Sequence, residues 1–141
     1  VFDAARRALC GFENYPAAFT HVVRLEETFE AGLVFSTVAS HFGFASSNPC
    51  RIAFVIDDVD EGRFGFGLGT LPGHAAAGEE CFRITLDPGS GVVHYEAQAI
   101  SRPTVWLARL GRPFMRRVQA RFRAESCDAM RRAVSGLASG D

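Results

Sequence analysis

The sequence predicts an α+β domain in which a curved antiparallel β-sheet packs against a long C-terminal α-helix. Three observations carry this expectation. Two stretches, 51–71 and 80–100, alternate in side-chain character around turn-rich loops and read as hairpins. Within the first hairpin, every second residue of 65–69 is glycine. Apolar positions then hold one helical face over 114–137. Strands followed by one amphipathic helix give a sheet with a helix on one face. With 141 residues, 48% hydrophobic and 22% charged, the chain reads as a single domain, 1–141, that buries roughly two-thirds of its unfolded surface.

The chain opens on Val1, and Phe2, Ala5, Ala8 and Leu9 recur at helical spacing before Gly11. It therefore starts inside a helix, and a native N-terminal segment is expected to precede it. Between Phe12 and Asn48 the pattern is weaker: Pro16 interrupts it, while 21–25 and 33–42 have the β-branched and aromatic content of strands. Ile52, Phe54 and Ile56 then alternate with Arg51, Ala53 and Val55, and an acidic turn over 57–62 leads into the glycine strand.

In that strand Phe64, Phe66 and Leu68 form one face and Gly65, Gly67 and Gly69 the other. Glycine weakens a strand, so three in alternation imply a sharp bend or close approach of another backbone, a helix or a ligand. After a loop over 72–78, Phe82, Ile84 and Leu86 alternate, and Asp87-Pro88-Gly89-Ser90-Gly91 turns the chain into 92–100. Residues 104–110 read as a short helix ending at Gly111, and Pro113 suits the first turn of the long helix. Its apolar stripe is Phe114, Met115, Val118, Phe122, Ala129, Met130, Ala133 and Leu137; six arginines lie opposite, and Gln119 sits at the stripe's edge.

All 15 basic residues are arginine, which excludes Schiff-base chemistry and a P-loop lysine. Residues 1–108 carry 7 Arg against 13 acids and residues 109–141 carry 8 Arg against 3. The basic helix is expected to be a solvated face paired partly with the acidic front, with no nucleic-acid partner. No run of about 18 apolar residues occurs, so no membrane span is expected. Cys10, Cys50, Cys81 and Cys127 show no metal-ligand spacing and read as reduced, mostly buried side chains of a cytoplasmic protein, with neither metal nor cofactor.

The densest polar cluster runs from Thr70 through His74 to Glu79 and Glu80. An imidazole beside a carboxylate suits acid/base chemistry or metal binding, but a metal needs more converging ligands than this loop supplies. The expected role is a clamp in which a glutamate accepts a hydrogen bond from the imidazole or from loop amides.

The run Phe66-Gly67-Leu68-Gly69-Thr70-Leu71-Pro72-Gly73-His74, followed by Gly78-Glu79-Glu80-Cys81-Phe82, resembles the signature of uncharacterised protein family 0548, a domain-of-unknown-function family of bacteria and plants. Cys50-Arg51-Ile52, Ala99-Ile100-Ser101-Arg102-Pro103, Trp106-Leu107-Ala108-Arg109-Leu110-Gly111 and Arg117-Val118-Gln119 are similar to other blocks of that family. Leu68 replaces an aromatic and Ala75 a proline, and 12–44 departs from the pattern. The resemblance brings no catalytic residue. Its layout is similar to helix-grip (START/Bet v 1-like) proteins, whose sheet wraps a long helix around an apolar cavity.

The expected function is binding of a small apolar or amphipathic molecule between sheet and helix, with Arg51, Thr70, His74, Glu79, Glu80, Arg102 and Gln119 as candidate contacts. No residue is assigned a catalytic role. The alternatives are an enzyme using His74 with Glu79 or Glu80 as acid/base, and a protein- or anion-binding module using the arginine-rich helix.

Overall fold

The structure is a computed structural model and describes residues 1–41, 43–103 and 111–138. Helix α1, Phe2–Cys10, buries Ala4, Ala5, Ala8 and Leu9. Three of these are alanines, so the helix axis lies close to what it covers. Past Gly11 the chain turns at Phe12, whose φ of 57° is a strained conformation for a non-glycine residue. Phe12 is buried, with its ring 4.6 Å from that of Phe35 and edge-on to Phe66 at 5.8 Å, and these core contacts hold the strained turn.

Six strands follow: β1 (Thr20–Arg24), β2 (Val34–His41), β3 (Phe44–Asp58), β4 (Arg63–Thr70), β5 (Ala76–Leu86) and β6 (Val93–Pro103). They form one open, curved sheet in sequence order, every neighbouring pair antiparallel. Both expected hairpins lie in it, and β1 and β2 form where 21–25 and 33–42 suggested strands. The C-terminal helix α2 spans Arg112–Ala138 and packs on α1 and β6. The arrangement is α+β, as expected, and fits a helix-grip-like description.

Three details depart from expectation. Ile52, Phe54 and Ile56 do not share a face, because a bulge between Ile52 and Phe54 shifts the register from Ile52↔Leu68 to Phe54↔Gly67. Ile52 is buried in the core, while Phe54 lies on the opposite face, 48% exposed. Ala76, Ala77 and Gly78 belong to β5 and not to the preceding loop. A side chain at Gly78 would sit 2.1 Å from the Ile100 carbonyl oxygen, so this glycine serves a close strand approach. The expected helix over 104–110 lies outside the described residues.

The core is built from alternate residues facing the concave side. Phe35, Phe64, Phe66, Phe82, Ile52, Leu68 and Ile84 are all fully buried there. Helix α2 contributes Ala129 and Met130, with Phe122, Ala133 and Leu137 partly buried against the cluster. The Tyr95 and Ser126 hydroxyls, 2.8 Å apart, tie β6 to the helix. Phe114, expected in the apolar seam, is 47% exposed, because the N-terminal end of α2 stands over a hollow and not over packed side chains.

The six expected arginines of α2 are all exposed. Arg121 pairs with Glu125 at 2.5 Å and Arg131 with Asp128 at 2.8 Å. Those pairs are internal to the helix and not directed at the acidic front. Cys10, Cys50, Cys81 and Cys127 are free thiols, of which Cys50 is fully buried and the other three are partly buried.

The glycines of β4 are not equivalent. A Cβ at Gly65 would lie 2.4 Å from the Phe82 carbonyl oxygen, one at Gly67 would lie 2.3 Å from the exposed Phe54 ring, and one at Gly69 meets nothing within 4 Å. Backbone cannot yield, whereas an exposed ring can swing away. Gly65→Ala is therefore expected to lose about 1–3 kcal/mol in a denaturant titration. Gly67→Ala should lose less and recover when combined with Phe54→Ala, and Gly69→Ala should be neutral or gain about 0.5 kcal/mol. Equal losses at the three positions would refute the ranking.

Candidate functional site

The hollow beneath the N-terminal half of α2 is a cavity of about 230 Å³. Its floor is the concave face of the sheet: Thr37 from β2, Asn48 and Cys50 from β3, Glu80 and Phe82 from β5, Ala97, Ala99 and Ser101 from β6. The roof is Phe114, Val118, Gln119 and Phe122 of α2, and Tyr15 and Phe19 close one side. The space exists because β6 offers alanine and serine where β4 offers phenylalanine. Small side chains on a concave surface cannot reach the helix above them.

The rim is held by two hydrogen bonds around the β4–β5 loop. The Gly78 N–H donates to Thr70 Oγ1 at 3.0 Å, and the Ala76 N–H donates to His74 Nδ1 at 3.0 Å. Accepting at Nδ1 places the proton of the neutral imidazole on Nε2. Burial lowers the His74 pKa, which favours that neutral form. Across the cavity Gln119 Nε2 donates to Ser101 Oγ at 2.7 Å, joining the helix to β6. The two rim bonds clamp the loop through a hydroxyl and an imidazole, and the expected glutamate clamp is not what forms: neither Glu79 nor Glu80 accepts either bond.

Glu80 has a different place. The alternation of β5 that buries Phe82 and Ile84 turns Glu80 inward too. It keeps part of its surface toward the open space of the cavity, while protein atoms crowd the carboxylate from almost every other side. Among the described residues none forms a hydrogen bond or ion pair with it. Burial pushes its pKa from 4.5 up to about 7, with no cation among the described residues offsetting the effect. Its charge is felt by Tyr15, Cys50 and Tyr95, which burial already drives toward their neutral forms, the Cys50 thiol up to about 12.

Of the residues proposed from sequence, Thr70, His74, Glu79, Glu80 and Gln119 line this cavity, Glu79 from an exposed position. Arg51 and Arg102 do not. Cys50 and Ile52 face inward, and so does Ser101, so period 2 sends both arginines to the exposed side. Sequence reasoning missed Tyr15, Phe19, Asn48, Cys50 and Phe82. Tyr15 and Phe19 lie in the irregular stretch before β1, where no periodicity marks a face. Asn48 and Cys50 carried a usable signal, since they share the alternation of buried Ile52. Among the described residues no group of three His, Cys, Asp or Glu side chains converges as a metal site would require.

The family model described as "Domain of unknown function (DUF1990)" matches residues 1–129. The chain belongs to this family. It is 35% identical over 142 residues to a UPF0548 protein of Dictyostelium discoideum, a match covering 94% of this chain and 66% of the relative. A UPF0548 protein of Arabidopsis thaliana is 42% identical over 92 residues, 62% of this chain and 44% of the relative. One of Deinococcus radiodurans is 36% identical over 80 residues, 57% of this chain and 39% of the relative. The resemblance to family 0548 is thereby confirmed, and its members extend beyond bacteria and plants to Dictyostelium. The chain spans less than two thirds of the length of these relatives. No helix among the described residues is long and apolar enough to cross a membrane.

Two outcomes follow for the DUF1990 cavity. Between pH 4.5 and 7 the folded protein retains a proton on Glu80 that the unfolded chain has released, so Glu80 lowers stability progressively as pH rises through that window. Above pH 7 the loss reaches a ceiling of about 3 kcal/mol. Glu80→Gln is accordingly expected to stabilise the protein by up to about 3 kcal/mol at pH 8 and by little at pH 4.5, read from urea midpoints at the two pH values. A gain independent of pH would refute the assignment. Thr70→Val leaves the Gly78 N–H without its acceptor and should cost about 1–3 kcal/mol in the same titration.

Proposed function

We propose that this DUF1990 chain binds a small amphipathic molecule in the cavity between the curved sheet and the N-terminal half of α2. One observation carries the reading: a hollow of about 230 Å³, walled mainly by aromatic and small apolar side chains, holds one inward-facing carboxylate, Glu80, that has no partner among the described residues. Ligand sites combine an apolar enclosure with a few placed polar groups, and that is the composition here. Glu80, Tyr15 and the His74 imidazole are the orienting groups, Gln119 and Thr70 hold the walls that present them, and Glu79 stands at the exposed side.

An imidazole oriented by a carboxylate, the arrangement of an acid/base dyad, needs the two groups to act on one another. The His74 shift has burial as its first cause and the Ala76 hydrogen bond as its second, and the Glu80 shift has burial alone. His74 and Glu80 show no influence on one another, and His74 Nδ1 accepts from the Ala76 N–H, which favours the binding reading over a His74–Glu80 dyad. For the basic-helix reading, two of the six arginines are already engaged within α2.

Native mass spectrometry of the chain purified from its own host tests the proposal. The expected spectrum contains a non-covalent adduct that is absent from an Ala99→Trp variant, in which the indole fills the hollow. Identical, adduct-free spectra, together with no saturable binding of a neutral apolar fluorophore, would overturn it.

A further inference from the structure

We propose that the ligand of this cavity carries one protonated amine on an apolar body, with the ammonium group seated between the Glu80 carboxylate and the aromatic walls. The inference rests on the binding reading above and names its ligand class. Two independent features of the cavity support it.

The first is the carboxylate itself. It lines the cavity, receives no hydrogen bond or ion pair from any described residue, and is crowded by protein on its other sides. A buried charge without a counter-charge is unfavourable, and an ammonium supplies both the charge and up to three N–H donors. Among the described residues no cation fills this role. Arg123, which also lines the cavity, is exposed, and Glu80 shows no influence from it.

The second is the wall. Tyr15, Phe82 and Phe122 surround the space, with Tyr15 ring-to-ring distances of 5.8 Å to Phe82 and 5.6 Å to Phe122. Aromatic faces carry negative potential and attract an ammonium group. An anionic ligand would meet repulsion from these faces and from Glu80 alike.

The charges facing Glu80 can be counted by element. Tyr15 approaches from the segment before β1, Cys50 from β3 and Tyr95 from β6, and each is held neutral by burial. His74, which shares the lining from the β4–β5 loop, is biased to its neutral form. At pH 8 the described residues of the buried part of the cavity therefore bear one negative charge, on Glu80.

The test compares benzylamine, benzyl alcohol and benzoate, which share a ring and differ in charge, titrated into the full chain at pH 8 and followed by NMR shift changes at cavity residues. Benzylamine is expected to bind at least about tenfold more tightly than benzyl alcohol, with benzoate weakest. In Glu80→Gln, an isosteric change, the preference should fall to within about twofold, and at pH 5.5 in the wild type it should shrink toward the same value. Ala99→Trp, or Val118→Trp should the former not fold, should abolish the shifts. Should benzyl alcohol or benzoate match benzylamine, or the preference survive in Glu80→Gln, the amine assignment is wrong and the cavity reading stands. Should no compound shift cavity resonances, or the tryptophan variants leave binding unchanged, both are wrong.

Discussion

The structure depends on one constraint, the strict alternation of bulk along β4. Phe64, Phe66 and Leu68 are fully buried on one face, while Gly65, Gly67 and Gly69 leave the other bare. Lying between β3 and β5, this strand sets how the sheet curves. With no Cβ on its convex face, β5 backbone and the Phe54 ring come closer there than any other residue would permit. The large side chains on the concave face are meanwhile driven together, and the rings of Phe12, Phe29 and Phe82 gather around Phe66. The bulge in β3 belongs to the same device, since it moves Phe54 to the outside exactly where β4 has left room; without it that ring would face the crowded core.

A curved sheet cannot meet a straight helix along its whole length. Helix α2 is seated at its C-terminal half, where Ala129 and Met130 are buried and α1 packs beside it, and the Tyr95–Ser126 contact marks where that seat ends. Toward its N-terminus the helix and the sheet diverge, which explains why Phe114 is exposed and Val118 and Phe122 are only partly buried. The cavity is the volume left by this divergence. Its dimensions follow from the small residues of β6 beneath the helix, and Gln119 bridging to Ser101 keeps the two walls at a fixed separation.

Much of the fold was legible in the sequence because period 2 and period 3.6 are local signals. The hairpins, the glycine strand and the long helix all follow from spacing within one element. What failed was information carried between elements. Whether Phe54 faced in or out depended on a bulge set by β4, and whether Phe114 was buried depended on the sheet's curvature beneath a helix far along the chain. The site was legible in the same proportion. Thr70, His74 and Glu80 stand out as polar residues around a tight loop, but a loop read through Gly78 makes the glutamates its acceptors. Once Ala76 to Gly78 are in the strand, Glu80 shares a face with Phe82 and Ile84, and its inward position follows from parity alone. Chemistry alone makes Arg51 and Arg102 candidates, whereas strand parity puts both outside.

Glu80 is therefore the residue at which the fold and the site pull in opposite directions. It occupies a row of β5 otherwise given to Phe82 and Ile84, and a leucine there would fill part of the hollow and remove a buried charge. The fold accommodates the carboxylate because the groups around it, Tyr15, Cys50 and Tyr95, hold their protons far above neutrality and add no further negative charge. The two rim hydrogen bonds, at Thr70 and His74, use acceptors other than this carboxylate, so the loop keeps its shape whether Glu80 is charged or not. A carboxylate that contributes nothing to the clamp, weakens the core and faces open volume is the group on which the proposed binding function rests.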